Sequence, residues 1–418
     1  MAAVEGTSGV GLAEWVSLGV LAEAVPRDVV DEAVVAAGRG ARRAGGKLPP
    51  HVMVYFAMAL ALFADDDYEE AMAKLAGTLR AWGCWDPAWA VPTSGGLTQA
   101  RARLGSGVLA SVFAQVARPV AEVMTRGAWL AGRRLMAIDG VVWEAPDSPD
   151  NRQAFGVSGS GHYASAFPQV RMVTLTECGS HAHTAAAMDG IRTSEQALAR
   201  HIWPELEAGM LVLADRNFYT FADWCTAADT GADLLWRVSS QLRLPVLKLL
   251  SDGSYFSVIH APIRGGARQN LLTRAAVGDE LDPTQARLVR VVEYEVTDRG
   301  SDDEREVICL ITTVCEATDV DAAQLADAYH ERWEHETGFS QIKRHLRGPA
   351  RVLRSRGPEM VRQELYGYLL AHYALASLIC RAATEADIDP DRVKFLRTVR
   401  IVRRQVADPA AFPPCEPG

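Results

Sequence analysis

An α/β protein with a helical N-terminal part is the fold class that this sequence predicts, on three observations. Residues 10 to about 130 carry apolar residues at helical spacing, with Gly and Pro at the joins. Near residue 133 the pattern changes to short apolar runs that end in an acid, RRLMAIDG and GMLVLADRNF. The strand-like FPQVRMVTLTE and the helical SEQALARHIWPEL lie between those two runs. Such alternation builds a mixed sheet flanked by helices. Finally, residues from about 236 to 315 read mostly as β, and helices resume at about 319 and continue to about 404.

The elements follow in order. Pro49 and Pro50 stand where a helix begins, and HVMVYFAMALALFA, residues 51–64, contains the longest uncharged run. It falls short of the roughly 20 apolar residues that a membrane span needs, so it reads as a buried helix. PTSGGLTQARARLG, residues 92–105, reads as a loop entering a short basic helix, with Thr98 as its N-cap. A DNA-facing helix presenting Arg101 and Arg103 fits that pattern, and so does a plain connector. Further on, ARLVRVVEYEVTD and REVICLITTV flank the turn-rich DRGSDD and predict a hairpin. Trp236 reads as a core residue. The tail DPAAFPPCEPG is expected to be disordered.

With 418 residues, 49% of them apolar, the chain has ample core for two or three domains. Its 7 cysteines are scattered without short paired spacings, so neither a disulfide framework nor a zinc site is expected. MAAVEGTSG lacks the basic-then-apolar pattern of a signal peptide, so a cytoplasmic, membrane-free protein is expected. The net charge of −9 argues against nucleic acid as a partner, but distribution outweighs the sum. KRHLRGPARVLRSRG carries Lys343, Arg344, Arg347, Arg351, Arg354 and Arg356 and no acid. A second basic stripe follows at Arg392, Lys394, Arg397, Arg400, Arg403 and Arg404. Stripes of this kind are usually solvated faces; two of them beside an acidic cluster fit a phosphate backbone.

The densest charge lies in YHERWEHETGFSQIKRHLRG, residues 329–348. On one ideal helix Tyr329, Arg332, Glu336 and Lys343 fall within an arc of about 60°. Ala328, Phe339, Ile342 and Leu346 form the adjoining apolar stripe. A salt-bridged amphipathic helix is the ordinary explanation of that pattern. Two further acids add another, because Asp139 ends LMAID and Asp215 ends LVLAD, and α/β sheets open their sites at the carboxyl ends of strands. Asp139, Asp215 and Glu336 together would make an oxygen-rich pocket suited to Mg²⁺ or Mn²⁺. Two such ions clamp an in-line phosphoryl displacement. Arg332 and Lys343 would then hold phosphates, and Tyr329 would stack on a sugar or base or bond a phosphate. The histidines are left out of this pocket. His181 and His183 read as surface residues, and His330, His335 and His345 as solvated. Asp147 and Asn151 shape a turn, while Asp189 and Asp223 fall in loop and helix.

Tyr329, Arg332, Glu336 and Lys343 fit Y-x2-R-x3-E-x6-K, which resembles the signature of the DDE transposases of bacterial insertion sequences. The group concerned is the Tyr-Arg-Glu-Lys group, which includes insertion sequence four and the transposon-five enzyme. LPPHVMVYFAMALALFADDDYEEAM and PTSGGLTQARARLG resemble the N-terminal domain of that family. AIDGVVWEAPDSPDNRQAFG with FPQVRMVTLTECGSHA resembles its first-Asp region, and LVLADRNFYTFADWCTAADTGADLLWRV its second. VLRSRGPEMVRQELYGYLLAHYAL resembles the segment after its Glu helix.

The resemblance implies a ribonuclease-H-like mixed sheet with a β-rich insertion between the second Asp and the Glu, at about 240–315. It implies residues 1–130 as a helical DNA-binding domain and 131–375 as the catalytic domain. Residues 376–418 are left as a basic C-terminal helix and tail. Asp139, Asp215 and Glu336 become catalytic metal ligands for two Mg²⁺ or Mn²⁺ ions. Tyr329, Arg332, Lys343, Arg344, Arg347, Arg101 and Arg103 become DNA contacts. The partner is double-stranded DNA, both transposon ends and target, cut and pasted by a homodimer. Two alternatives stay open: an inactive or domesticated DNA-binding protein, and a nuclease that cuts without joining.

Overall fold

In the computed structural model, residues 19–41, 48–81, 89–159, 161–297, 305–348 and 352–405 are described. The DRGSDD turn and the C-terminal tail lie outside them.

The N-terminal part holds α1 (Gly19–Ala24), α2 (Arg27–Ala36), α3 (Pro50–Leu62), α4 (Tyr68–Ala81), α5 (Ser94–Leu104) and α6 (Ser106–Val116). Pro50 opens α3, where its fixed φ suits the first turn and its missing N–H costs nothing. Every residue from Val52 to Leu62 is buried, so a helix that is apolar on all sides becomes the centre of the bundle. Among the described residues no helix is long and apolar enough to cross a membrane. Helix α5 starts a turn earlier than Thr98 suggests. Thr93 caps it, accepting from the Gly96 amide at 3.3 Å, while Thr98 lies inside and donates to the Ser94 carbonyl at 2.8 Å. A threonine hydroxyl serves either purpose, and the sequence does not separate them.

The central part runs β1 (Trp129–Leu130), β2 (Arg133–Glu144), α7 (Pro149–Phe155), β3 (Gln169–Glu177), β4 (His183–Gly190), α8 (Glu195–Ala199), β5 (Met210–Ala214), α9 (Phe221–Ala228) and β6 (Asp233–Val238). Then come β7 (Lys248–Leu249), β8 (Tyr255–His260), α10 (Gly265–Ala276), β9 (Ala286–Thr297) and β10 (Arg305–Thr312). The strands lie in the order β4-β3-β2-β5-β6-β10-β9-β8-β7, with β1 paired to β2. The antiparallel β4-β3-β2 run and the parallel β2-β5-β6 run make the ribonuclease-H-like mixed sheet. The β-rich insertion continues that sheet, because β10 pairs antiparallel with β6. Its helix α10 was not expected from a stretch that reads as mostly β.

Alternation along β2 sends its side chains to two cores. Met136 and Ile138 pack with Leu198 and Trp203 on the α8 side. Leu135 and Ala137 pack on the other side with Leu325 and Tyr329 of α11 (Ala322–His330). Trp236 is fully buried as expected, 5.4 Å from the Trp203 ring and 5.3 Å from the Trp224 ring between centroids. After α11 come α12 (Trp333–Ser340), a wider π-helical turn at Gln341–Leu346, α13 (Pro358–Glu385) and α14 (Phe395–Gln405).

A third core joins α3 to α13 and reaches from Leu21 to Val402. The two helices touch where Gly367 meets α3. A Cβ there would lie 2.5 Å from the Ala57 carbonyl oxygen, so the backbones approach only because the residue is glycine. The insertion is tied to α11 through fully buried Arg290. It donates to Asp252, to Ser254 Oγ at 2.8 Å and to the Val320 carbonyl at 2.7 Å. Asp252 in turn accepts from the Ala322 amide at 2.8 Å, at the start of α11. The long insertion therefore ends by fixing the helix that leads to Glu336.

Candidate active site

Strand β2 does not stop at Asp139 but continues to Glu144 along β3. What ends there is its parallel pairing with β5, whose last register pair is Ile138 with Ala214. Asp139 is the next residue of β2 and Asp215 the first residue after β5, so both acids leave that last pair where the sheet parts. Asp139 Oδ1 accepts from the Gly140 amide at 2.7 Å, and Asp215 Oδ1 from the Arg216 amide at 2.6 Å. Both carboxylates thus keep one oxygen fixed to the backbone.

Glu336 arrives from α12. The single ideal helix drawn through residues 329–346 is not what forms. Helix α11 ends at His330, α12 begins at Trp333, and residues 341–346 widen into the π turn. Arg332 sits at the break, with its side chain 11% exposed, and donates to Asp139 Oδ2 at 3.1 Å. Its other terminal nitrogen lies 3.9 Å from Glu336 Oε1. One guanidinium therefore stands between the first Asp and the Glu. Burial pushes the Glu336 carboxyl up, Arg332 draws it down, and Asp139 and Asp215 push it up again, with a net rise. Both Asp carboxylates thus act on Glu336.

The expected DNA contacts divide. Arg344 and Arg103 are exposed. Lys343 and Arg347 are half-buried, their charges 5.4 and 5.3 Å from the centre of the Trp143 ring. Desolvation, then the neighbouring Arg347, lowers the Lys343 pKa. Two residues must be corrected. Tyr329 is buried: its ring packs against the sheet with Leu325 and Ala328 of α11, and the Arg332 guanidinium carbon lies 5.9 Å from the ring centre. Arg101 is 1% exposed and is spent inside the protein. It donates to the Tyr68 hydroxyl, to Gln363 Oε1 at 3.3 Å and to the Met360 carbonyl at 3.2 Å. In the second basic stripe, Arg403 donates to the Leu62 carbonyl at 2.6 Å, while Arg392, Lys394, Arg397 and Arg400 are exposed.

The histidines also depart from expectation. His181 and His183 are buried, because α12 and α13 cover the β3–β4 hairpin that carries them. His183 stacks on Phe339 and meets His372. His181 Nε2 lies 2.7 Å from Glu334 and 3.0 Å from Asp391. Among the described residues these three alone bring metal-ligand-type atoms within 4.8 Å of one another; Asp139, Asp215 and Glu336 are more widely spaced. Burial pushes the His181 imidazole down, but hydrogen bonds to Asp391 and Glu334 outweigh it and hold it up at about 9. A proton on His181 is thus the cation that binds the two acids.

Burial lowers His372 to about 3, helped by the nearby charge on His181, so it stays neutral. The Gln341 amide lies 3.0 Å from His181 Nδ1 and 2.8 Å from His372 Nε2. Its Nε2 faces His181 and its Oε1 faces His372; turned over, the amide accepts from the imidazolium and donates to the neutral ring. His330 is exposed, but His345 is half-buried against Phe395. Asn151 and Asp147 do shape the turn: Asn151 Nδ2 donates to the Pro146 and Ser355 carbonyls at 3.0 and 3.1 Å, and Asp147 pairs with Arg152.

Sequence reasoning missed a further acid, Glu195, at the start of α8. Its Oε1 would lie 2.6 Å from a Cβ at Gly140, the neighbour of Asp139. An acid directly after the capping Ser194, on the helix that precedes the second-Asp strand, was the available signal.

Residues 15–114 match the family described as Insertion element 4 transposase N-terminal, and residues 130–374 match the Transposase DDE domain. The chain is 28% identical over 380 residues to the transposase InsG for insertion sequence element IS4 of Escherichia coli (strain K12), covering 88% of this chain and 79% of that protein. It is 32% identical over 142 residues to the putative transposase InsZ of Escherichia coli (strain K12), 34% of this chain and 47% of that one. A cryo-EM structure of the piggyBac transposase synaptic complex with hairpin DNA aligns with a TM-score of 0.48 and 9% identity, over 97% of this chain and 83% of that one. The DDE match spans more than half of the chain and follows the N-terminal match, so the chain belongs to the insertion-sequence-four family of DDE transposases, phosphoryl-transfer enzymes that act on DNA.

Proposed function

We propose that this transposase moves its element by cut and paste, with Asp139, Asp215 and Glu336 as ligands of two Mg²⁺ or Mn²⁺ ions. Divalent-metal use and a DNA substrate follow from the family; the ion, the count, the ligand set and the route are the proposal. One observation carries it. Asp139 and Asp215 meet where β2 and β5 part, and Arg332 ties Asp139 to the helix that bears Glu336. The donors are all carboxylate oxygens, which suits hard cations. When bound, two such ions supply Lewis acidity and offset charge on the attacking and leaving oxygens.

The chain's own residues do the rest. The three carboxylates fix where the reacting phosphate sits. Arg332 balances Asp139 and Glu336, and its planar fork suits two bonds to a phosphate once those acids are neutralised otherwise. Lys343, Arg344 and Arg347 continue the cationic track along the same segment. The helical part up to residue 130, with Arg103, and the basic C-terminal helix hold the duplex and set its register. Tyr329 supports the sheet from beneath and does not stack on a base.

In the first step water attacks the phosphorus at an element end; a P–O bond forms, the P–O3′ bond breaks, and a 3′ hydroxyl leaves. That hydroxyl then attacks phosphorus in target DNA, or in the opposite strand to make a hairpin, again exchanging one P–O3′ bond for another. Two copies pair the two ends, so the working form is a homodimer on DNA. Incubation with the inverted repeats that flank the gene and Mg²⁺ tests the reading. Nicks followed by joined products are expected. Nicks without joining would indicate a nuclease, and binding without cutting a domesticated DNA-binding protein; either overturns the proposal.

A further inference from the structure

We propose that Glu195 is a fourth carboxylate of the active centre, reaching a divalent cation from the face of the sheet opposite Glu336. It rests on reading Asp139, Asp215 and Glu336 as a metal centre.

The approach is built into the backbone. Gly140 follows Asp139 in β2, and a Cβ there would lie 2.6 Å from Glu195 Oε1, 2.8 Å from its Cδ and 2.9 Å from its Cγ. The carboxylate therefore rests on the bare Cα beside the first Asp. A glycine inside a strand marks such a close approach. Any other residue would push the carboxylate away.

The two faces of β2 explain how four acids reach one place. Asp139 shares its face with Leu135 and Ala137, toward α11 and α12. Gly140 shares its face with Met136 and Ile138, toward α8. Pairing between β2 and β5 stops at Ile138, two residues before Gly140, so no β2–β5 bond separates the two sides at that level. Glu195 senses the acids across this gap: burial raises its pKa, Arg171 opposes that, and Asp139 and Asp215 add to it.

Its partners leave the carboxylate available. Glu195 is half-buried, and among the described residues it makes no hydrogen bond through its side chain. Arg171 Nε lies 3.9 Å from its Oε1, while Arg171 Nη1 donates to the Thr193 carbonyl at 2.6 Å. A half-buried acid beside two others, with one distant counter-ion, carries uncompensated repulsion. A divalent cation relieves it. The base of the side chain is held in place by Ser194, which caps α8 by accepting from the Ala197 amide at 3.1 Å, and by buried Leu198 and Ala199. Mg²⁺ and Mn²⁺ favour several oxygen ligands, so a fourth carboxylate adds both a donor and a charge.

Mn²⁺ binding to the full chain, read by electron paramagnetic resonance without DNA, tests the assignment. The unaltered protein is expected to take up Mn²⁺, and Glu195→Gln to weaken uptake by about tenfold or more. Gly140→Ala should do the same, because the three atoms nearest its Cβ all belong to the Glu195 side chain, and it should add nothing to Glu195→Gln. Metal-free Glu195→Gln should be at least as thermally stable as the unaltered protein, because the repulsion leaves with the charge. Unaltered Mn²⁺ affinity in Glu195→Gln, with loss in Asp139→Asn, would overturn the Glu195 assignment and leave the metal centre standing. If the unaltered protein takes up no Mn²⁺, the metal centre and Glu195 fall together. Should Glu195→Gln not fold, Gly140→Ala decides by the same comparison.

Discussion

Replacing His181 with Gln removes the proton that binds Glu334 to Asp391, and the structure sets the size and sign of the effect. His181 is held at about 9 in the folded protein, against 6.5 for an unperturbed imidazole. At 1.36 kcal/mol per pH unit, that difference contributes about 3 kcal/mol of stability. The folded pKa is the raised one, so the contribution is complete below pH 6.5 and is lost as the pH rises to about 9. His372 acts in the opposite sense. Its folded pKa of about 3 is depressed, so its contribution is present above pH 6.5 and is lost as the pH falls from there. In the alkaline window His372 is neutral in both states and adds no slope. Denaturant unfolding of the unaltered protein and of His181→Gln at pH 6, 7.5 and 9 would read this directly. The two should differ by about 3 kcal/mol at pH 6 and converge by pH 9. Parallel pH profiles would refute an imidazolium between the two acids. Because Glu334 lies on α12 with Glu336, hydrogen exchange in α12 should rise along with the loss.

Three further outcomes follow from the packing and the charges. Gly367→Ala should destabilise the protein by about 3 kcal/mol, since its Cβ would meet the fixed Ala57 carbonyl and not a movable side chain. A denaturation midpoint like that of the unaltered protein would contradict the α3–α13 contact. Arg101→Ala should cost about 3 kcal/mol by leaving buried Gln363 Oε1 and the Met360 carbonyl without their guanidinium donor, yet leave the salt dependence of DNA binding alone. Arg344→Ala should do the reverse: stability within about 0.5 kcal/mol, and a slope of log affinity against log salt reduced by about one. Equal salt slopes for the Arg344 variant and the unaltered protein would remove it from the DNA track.

Much of the fold was legible because it rests on local patterns. The apolar run at 51–64, the apolar runs that lead into Asp139 and Asp215, and the hairpin strands around 287–313 each declare themselves within a dozen residues. The acids stood out for the same reason, as polar punctuation at the ends of apolar runs. What escaped the sequence depends on partners far along the chain. Arg101 looked like a DNA contact because nothing near it shows Gln363 or Met360 closing over it. His181 looked like a surface residue because Glu334 and Asp391, which hold it, arrive from two later helical segments. The angular arc from Tyr329 to Lys343 assumed one regular helix, but the helix breaks at Arg332 and Tyr329 lies with Leu325 and Ala328 on the buried face of α11. Glu195 was passed over because its meaning lies in Gly140, whose missing side chain is silent until both are seen together.

The central claim is that three acids brought to one end of the sheet make the centre that cuts DNA. Mg²⁺-dependent cleavage of the element's own ends, compared among Asp139→Asn, Asp215→Asn, Glu336→Gln and the unaltered protein, tests it most directly. Each variant should lose cleavage by about a thousandfold or more while still binding the ends. Cleavage at the unaltered rate by any one of the three would contradict the account.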